Sequence, residues 1–327
     1  MRRVFFRRLL IVAICFAGFI VFGIAIVKKY DMKHQTFSIY LFETDGHPFD
    51  ISNWKLIKSI QSDSSNFKRN PVEIIADPFL FVHQGSLYLF YEEAISGKHG
   101  TIKMIKTNDL INWNDPVEVL KHSTHLSFPF VFEEAGNIYM IPETNQENNI
   151  QLLGNANQDL SEWTIKKVIL EGDKYVDSSI LLHDSVYYLF TTVLRDNYEH
   201  ELQLYYSEDL YGKFKEHPKS PIAKGRLMGR CGGSIFEIDH KIFRPAQIYE
   251  KYYGESLSIY EIKLLTTNDY QEEIEIDRLL SQRFKYGGHH FNFVYFNDRI
   301  IIATDAVFFR YFLGEFYDRM IKKIKKI

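Results

Sequence analysis

Cysteine is scarce in this 327-residue chain, with two residues in all, Cys15 and Cys231, so no disulfide framework stands behind the fold. Cys15 lies inside an apolar N-terminal run, which makes a bridge to Cys231 implausible. Zinc-type Cys/His spacing is absent, as are G-x-x-x-x-G-K-[ST] and G-x-G-x-x-G, and the common metal, phosphate and dinucleotide readings go with them. No metal and no cofactor is expected. Tryptophan is equally rare, at three positions. Excess charge is small but unevenly spread. The first 33 residues hold seven Lys/Arg against Asp31, leaving 32 basic and 41 acidic residues, a net −9, for the remainder. An acidic body excludes nucleic acid as the main partner. What is present, 46% hydrophobic and 25% charged residues, suits a globular protein with a sizeable core.

From Leu9 to Val27 the chain runs without a charge, LLIVAICFAGFIVFGIAIV. That is close to the roughly 20 residues a bilayer core requires. The run exceeds the usual h-region of a signal peptide, and its small-x-small pattern (Gly23, Ala25) is weak. It therefore predicts one uncleaved transmembrane helix within an anchor domain, 1–33. Arg2, Arg3, Arg7 and Arg8 precede it and three lysines follow, so the positive-inside bias places the body outside the cytoplasm of a single-pass protein.

Beyond the anchor the chain repeats. Segments starting at Asp77, Phe128, Asp177, Gly232 and His290 align over sixteen residues without a gap, their starts 51, 49, 55 and 58 residues apart. Each reads as an apolar strand, a polar turn and a second strand rich in Tyr, Phe and Ile, the hairpin pattern. A second, more polar strand pair follows, marked by Asp109-Leu110-x-x-Trp113, Asp159-Leu160-x-x-Trp163 and Asp209-Leu210 with Phe214. The third tryptophan, Trp54, follows an orphan strand near Phe37–Phe42, while the fifth hairpin has no such pair after it. The two ends therefore complete one unit. This predicts an all-β, five-bladed β-propeller over 34–305, preceded by one N-terminal transmembrane helix. Residues 306–327, AVFFRYFLGEFYDRMIKKIKKI, read as a C-terminal basic helix or tail, either resting on anionic lipid or capping the fold.

In an antiparallel hairpin the first residue of one strand and the last of its partner share an end. Across the repeats the first positions are Asp77, Phe128, Asp177, Gly232 and His290, and the last are Glu92, Glu143, Thr192, Gln247 and Asp305. One channel mouth is thus expected to carry five carboxylates. Ionised groups lose several kcal/mol of hydration on burial unless paired, and neighbouring carboxylates raise one another's pKa, so the ring is a candidate site. Such carboxylates can also serve structure, by binding backbone N–H groups or an ion that pins the blades. Arg226, Arg230 and Arg244 offer clamps for a carboxylate or phosphate, or salt bridges between blades.

Several of these stretches resemble a known family. Ala76-Asp77-Pro78-Phe79, the run His125 to Glu133 (HLSFPFVFE), Ile138 to Thr144 (IYMIPET) and Gly288-His289-His290 are similar to the propeller domain at the N-terminus of plant glucosamine inositolphosphorylceramide transferases and in bacterial relatives. More distantly, the layout resembles the five-bladed glycoside hydrolases. The resemblance covers most of residues 70–292 and implies carbohydrate chemistry. The plant proteins carry a glycosyltransferase domain after the propeller that these 327 residues do not include, so transfer is not implied by the family name. The hydrolases use three acids from successive blades, whereas blade two here begins with Phe128.

The resulting expectation is a membrane-anchored, carbohydrate-active propeller, glycosidase- or glycosyltransferase-like, acting on a glycan or glycolipid. Asp77 serves as base or nucleophile, Glu143 as acid and Asp177 as orienter. Glu92, Arg230, Arg244, Gln247, His289 and His290 bind substrate. Tyr88, Tyr139 and Tyr188 are available for stacking on sugar rings. The competing readings are a glycan- or glycolipid-binding module without catalysis and an envelope scaffold.

Overall fold

A computed structural model describes residues 33–311 apart from 66, 67, 69, 197 and 198, together with positions 16 and 18. Apart from those two positions, the Leu9–Val27 run lies outside the described residues. Among the described residues no helix is long and apolar enough to cross a membrane. The described residues divide into two units: Thr36–Ser62 with Val72–Phe308 form the first, and the described residues within 1–35, 63–71 and 309–311 belong to the second.

The first unit is a five-bladed β-propeller. Strands β1 (Lys33–Thr44) and β2 (Lys55–Ile60) open the described chain. Blade 1 contains β3 (Val72–His83), β4 (Ser86–Ile95), β5 (Thr101–Thr107) and β6 (Val117–Leu120). Blade 2 contains β7 (Ser127–Glu134), β8 (Asn137–Glu143), β9 (Asn149–Asn155) and β10 (Trp163–Glu171). Blade 3 has β11 (Tyr175–His183), β12 (Val186–Val193), β13 (Glu201–Ser207) and β14 (Lys215–Glu216), with the short β15 (Ala223–Lys224) also pairing β13. Blade 4 has β16 (Phe236–Ile238), β17 (Lys241–Ile248), β18 (Ser256–Leu265) and β19 (Tyr270–Ile276). Finally β20 (Phe291–Phe296) and β21 (Arg299–Tyr311) join the opening strands in the order β2-β1-β21-β20, so blade 5 is assembled from both ends of the described chain.

The core is five cores, one at each blade-to-blade interface. Phe90 and Met104 of blade 1 pack with Met140 and Leu160 of blade 2, and Ile141 and Leu152 of blade 2 pack with Ile180 and Leu210 of blade 3. Phe190 and Leu204 then meet Ile242 and Ile262, while Phe243 and Leu257 meet Phe42 and Trp54. Ile39 and Leu41 against Leu80 and Leu89 close the circle. Closure leaves only short blade edges available to other chains.

The Asp-Leu-x-x-Trp repeat is a turn that serves these interfaces. Asp109 Oδ1 accepts from the N–H of Ile111 (2.9 Å) and Asn112 (2.7 Å), the local side-chain-to-backbone bond that makes Asp a turn residue. Leu110 adopts φ +65° and packs into the interface, and Trp113 Nε1 returns to Leu110 O at 3.1 Å. Leu160 (φ +60°) and Trp163 repeat the geometry at 3.0 Å. Trp54 instead donates to Pro48 O.

One boundary differs from expectation. β21 continues to Tyr311, so residues 306–311 are strand and not part of a helix or tail. Ala306 and Val307 are buried, and Val307 N donates to Gly287 O at 3.0 Å, which extends the apolar strand past Asp305.

Gly233 takes φ +144°, and a Cβ there would sit 2.1 Å from Phe291 O, where blades 4 and 5 meet. Gly233→Ala is expected to cost more than about 2 kcal/mol in urea unfolding, whereas Gly85→Ala, at φ +73° in an open turn, costs about 1 kcal/mol. Equal midpoints for the two variants would contradict this account of the interface.

Candidate functional site

Three inner strands share one distortion. Where β3, β7 and β11 enter the channel, their pairing shifts register between Ala76 and Phe79, Ser127 and Phe130, and Val176 and Ser179. At each shift one residue adopts the left-handed conformation: Asp77 (φ +52°), Phe128 (φ +44°) and Asp177 (φ +52°). Asp tolerates this region, while for a bulky Phe it costs of order 1–3 kcal/mol. The bulge re-aims the side chain.

It aims Asp77 and Asp177 into a buried polar cluster that Glu143 also enters. The three carboxylates are 6%, 1% and 6% exposed. Arg230, approaching from blade 4, donates Nε and a terminal nitrogen to the two oxygens of Asp177, the second bond 3.3 Å long, and lies 4.0 Å from Glu143 Oε2. Its guanidinium stacks over the Tyr253 ring at 5.1 Å. Gln247 Nε2 donates to Asp177 Oδ2 (3.1 Å) and to Cys231 O (2.6 Å), and Asn145 Nδ2 donates to Glu143 Oε1 (2.6 Å).

On the other side, Asp77 Oδ2 accepts from Phe128 N (3.2 Å), and Asp77 N donates to Asp305 Oδ2 (3.3 Å), bonds that tie blades 5, 1 and 2 together. His289 Nδ1 lies 2.6 Å from Asp305 Oδ2 and its ring stacks on Phe37. His290 Nδ1 lies 3.6 Å from Asp77 Oδ1, and the fully buried imidazole contacts the edges or faces of Phe79 and Phe128. Glu92 Oε1 pairs with His125 Nε2 at 3.2 Å, and His125 Nδ1 accepts from Gly100 N. Arg230 and His125, with side chains 14% and 28% exposed, carry the cluster to solvent.

The environment splits the acids. Burial and the charge of Asp177 push the Glu143 carboxyl up to about 8, against the pull of Arg230. Burial, then Asp77, Glu143 and Asp305, hold Glu92 well above the ordinary carboxyl range. Burial also raises Asp177, despite Arg230. For Asp77 burial acts upward too, but His290, His289 and Arg230 together bring it down to about 2. Burial lowers His289 while the Asp305 carboxylate outweighs it and raises the ring. At neutral pH one carboxylate (Asp77) is ionised beside a protonated neighbour (Glu143), an arrangement suited to general acid and base work.

The structure therefore brings together Asp77, Glu143, Asp177, Glu92, Arg230, Gln247, His289 and His290. Arg244 is elsewhere: its fully buried guanidinium is held by Glu272 (2.6 and 2.8 Å) and Met228 O inside blade 4, so it is a structural ion pair and not a substrate clamp. Tyr88, Tyr139 and Tyr188 belong to interblade cores rather than to the channel. The sequence reading missed His125 and Tyr253. His125 opens the HLSFPF run, a usable signal, whereas Tyr253 sits after β17 at no repeated position. Although no metal was expected, Asp77, His289 and Asp305 present ligand atoms within 4.8 Å of one another, a donor set able to hold a divalent cation.

Comparison with known proteins decides the family. Residues 43–294 match the family model described as glucosamine inositolphosphorylceramide transferase 1, N-terminal. The chain belongs to this family. It is 34% identical over 237 residues to glucosamine inositolphosphorylceramide transferase 1 of Arabidopsis thaliana, covering 68% of this chain and 30% of that protein. The protein of the same name from Oryza sativa subsp. japonica is 34% identical over 209 residues, covering 62% and 28%. The chain thus spans under a third of the curated relatives it matches. Among solved structures, a family 117 glycoside hydrolase from Zobellia galactanivorans superposes with TM-score 0.53 at 13% identity, over 75% of this chain and 87% of that one. An α-L-arabinanase from Cellvibrio cellulosa gives 0.53 at 17%, over 74% and 94%. At these identities the likeness concerns the fold.

Arg230→Met removes the counter-charge from Asp177 and is expected to cost about 3–5 kcal/mol at pH 7, with part regained at pH 5 as that carboxyl protonates. Because the Glu143 pKa is raised on folding, its contribution to stability is fully present below the ordinary value of 4.5 and is lost as pH rises through about 8. Chemical denaturation midpoints should fall between pH 5 and 8.5, and Glu143→Gln should flatten the fall; an unchanged slope in that variant contradicts the assignment.

Proposed function

We propose that this propeller is a membrane-anchored, single-pass, extracytoplasmic enzyme that cleaves or transfers a glycosidic bond of a glycan or glycolipid. The observation that carries the proposal is an ionised Asp77 and a protonated Glu143 in one buried cluster, with Arg230 set between Glu143 and Asp177. Family membership and hydrolase-like folds support a carbohydrate substrate. In this scheme Glu143 donates its proton to the leaving glycosidic oxygen. Asp77 either attacks the anomeric carbon or takes a proton from water or an acceptor hydroxyl. Asp177 holds Arg230 in place and raises Glu143, while Arg230 and His125, at the solvent side, contact the sugar. The Leu9–Val27 run supplies the anchor, with the Arg-rich side cytoplasmic.

A binding-only reading draws on the structural bonds made by Asp77 and Asp177, which engage Phe128 N, Arg230 and Gln247. Amide substitutions separate the two. Asp77→Asn and Glu143→Gln are expected to lower kcat by at least about 100-fold while glycan binding is retained. Activity in the parent should decline above about pH 8 as Glu143 loses its proton. A parent protein that binds glycans or glycolipids and never releases or transfers sugar identifies a binding module instead.

A further inference from the structure

The turn ends of the blades, opposite the carboxylate cluster, carry a second feature. A cleft of about 650 Å³ spans three successive blades there. Blade 1 contributes the β3–β4 turn at His83 and Gln84, blade 2 its β7–β8 turn, the end of β9 and Lys166, and blade 3 contributes Tyr211. Six residues of β3 separate Asp77 from His83, which at about 3.3 Å per residue places the cleft roughly 20 Å from the cluster.

The propeller supplies its own control, because the Asp-Leu-x turn recurs. Position x is Ile111 in the groove between blades 5 and 1, and Tyr211 in the cleft beside blades 2 and 3. In the first groove the polar groups satisfy one another: Arg299 pairs with Glu43 at 2.7 Å and Lys58 covers the Trp113 ring at 5.3 Å. The second cleft also holds its Asn157 amide in a local turn, Nδ2 donating to Ser161 Oγ and Oδ1 accepting from Ser161 N and Glu162 N, but it differs in its other groups. Its lining holds Lys166 and His83 but no Asp or Glu, in a body of net charge −9, together with five side-chain amides. Asn155 Oδ1 is buried there without a hydrogen-bond partner. The Tyr211 ring is 48% exposed, and its hydroxyl is fixed by the Tyr139 hydroxyl at 3.2 Å. Asn157 and Asn137 serve their own turns, but the first groove is built without an exposed aromatic ring or an excess of basic over acidic lining groups of the kind that Tyr211 and Lys166 give the second.

We infer that this cleft is a second saccharide-binding site, specific for a short acidic oligosaccharide. The Tyr211 face receives a sugar ring, the amides bond its hydroxyls, and Lys166 pairs with its carboxylate. The volume lies within the range of ligand pockets. Because the site is remote from Asp77 and Glu143, it is independent of whether the cluster is catalytic.

The test is calorimetric titration of the full chain in detergent with trigalacturonate and with the neutral galactotriose. Trigalacturonate is expected to bind at least fivefold more tightly than the neutral sugar. Tyr211→Ala and Lys166→Gln should each raise its Kd at least fivefold, while Tyr211→Phe retains binding because the ring face remains. Asp77→Asn combined with Glu143→Gln should leave this Kd within twofold. Absence of trigalacturonate binding overturns the inference, as does binding that survives Tyr211→Ala with Lys166→Gln, or binding lost only in the Asp77/Glu143 variant.

Discussion

A half-buried guanidinium makes the channel of this propeller possible. Asp77, Glu143, Asp177, Glu92 and Asp305 are all buried, and each would sacrifice several kcal/mol of hydration if left unpaired and ionised. Arg230 reaches across from blade 4 to Asp177 of blade 3 and towards Glu143 of blade 2, and the His289–Asp305 pair offsets charge on the far side. Protonation does the rest: burial keeps Glu143 neutral and pushes Glu92 upward in the same direction, while Asp77 stays ionised. Structure and chemistry therefore draw on the same groups. Asp77 bonds the next blade through Phe128 N and is also the carboxyl brought down to about 2.

Much of the architecture was legible in the residues. Apolar alternation around short polar turns marked the five inner hairpins, because a half-buried strand must alternate. Trp54, displaced from the other tryptophans, pointed to a blade shared between the two ends, and it does pack in the interface of blades 4 and 5. That Asp77, Glu143 and Asp177 lie at one end of their hairpins was legible from register, whereas singling out these three drew on the likeness to the hydrolases. What was not legible depends on contacts far apart in sequence. Nothing near Arg244 announces that Glu272 will consume it, and nothing near Tyr253 announces that Arg230 will lie on its ring. The end of the last blade was misplaced because AVFF reads equally well as helix or strand until Gly287 accepts the Val307 N–H.

The left-handed bulges show where the repeat departs from an ideal strand. Asp77, Phe128 and Asp177 occupy equivalent positions and share a conformation, although Phe pays more for it than Asp. Phe128 uses the geometry differently: its amide serves the Asp77 carboxylate and its ring packs on Phe79 and His290. One backbone device thus aims an acid in two blades and, in the blade between them, supplies a donor and an apolar wall.

Blade 5 also has a consequence for biogenesis. β1 leaves the ribosome first among the described strands, yet its neighbour β21 is among the last to be made. At the usual 5–20 residues per second, β1 and β2 wait some tens of seconds with a pairing edge exposed. Long-range closure of this kind slows folding and leaves nascent chains open to mispairing. Because the order is β2-β1-β21-β20, β2 already covers one side of β1 during the wait, and the side that β21 will fill is the one left open.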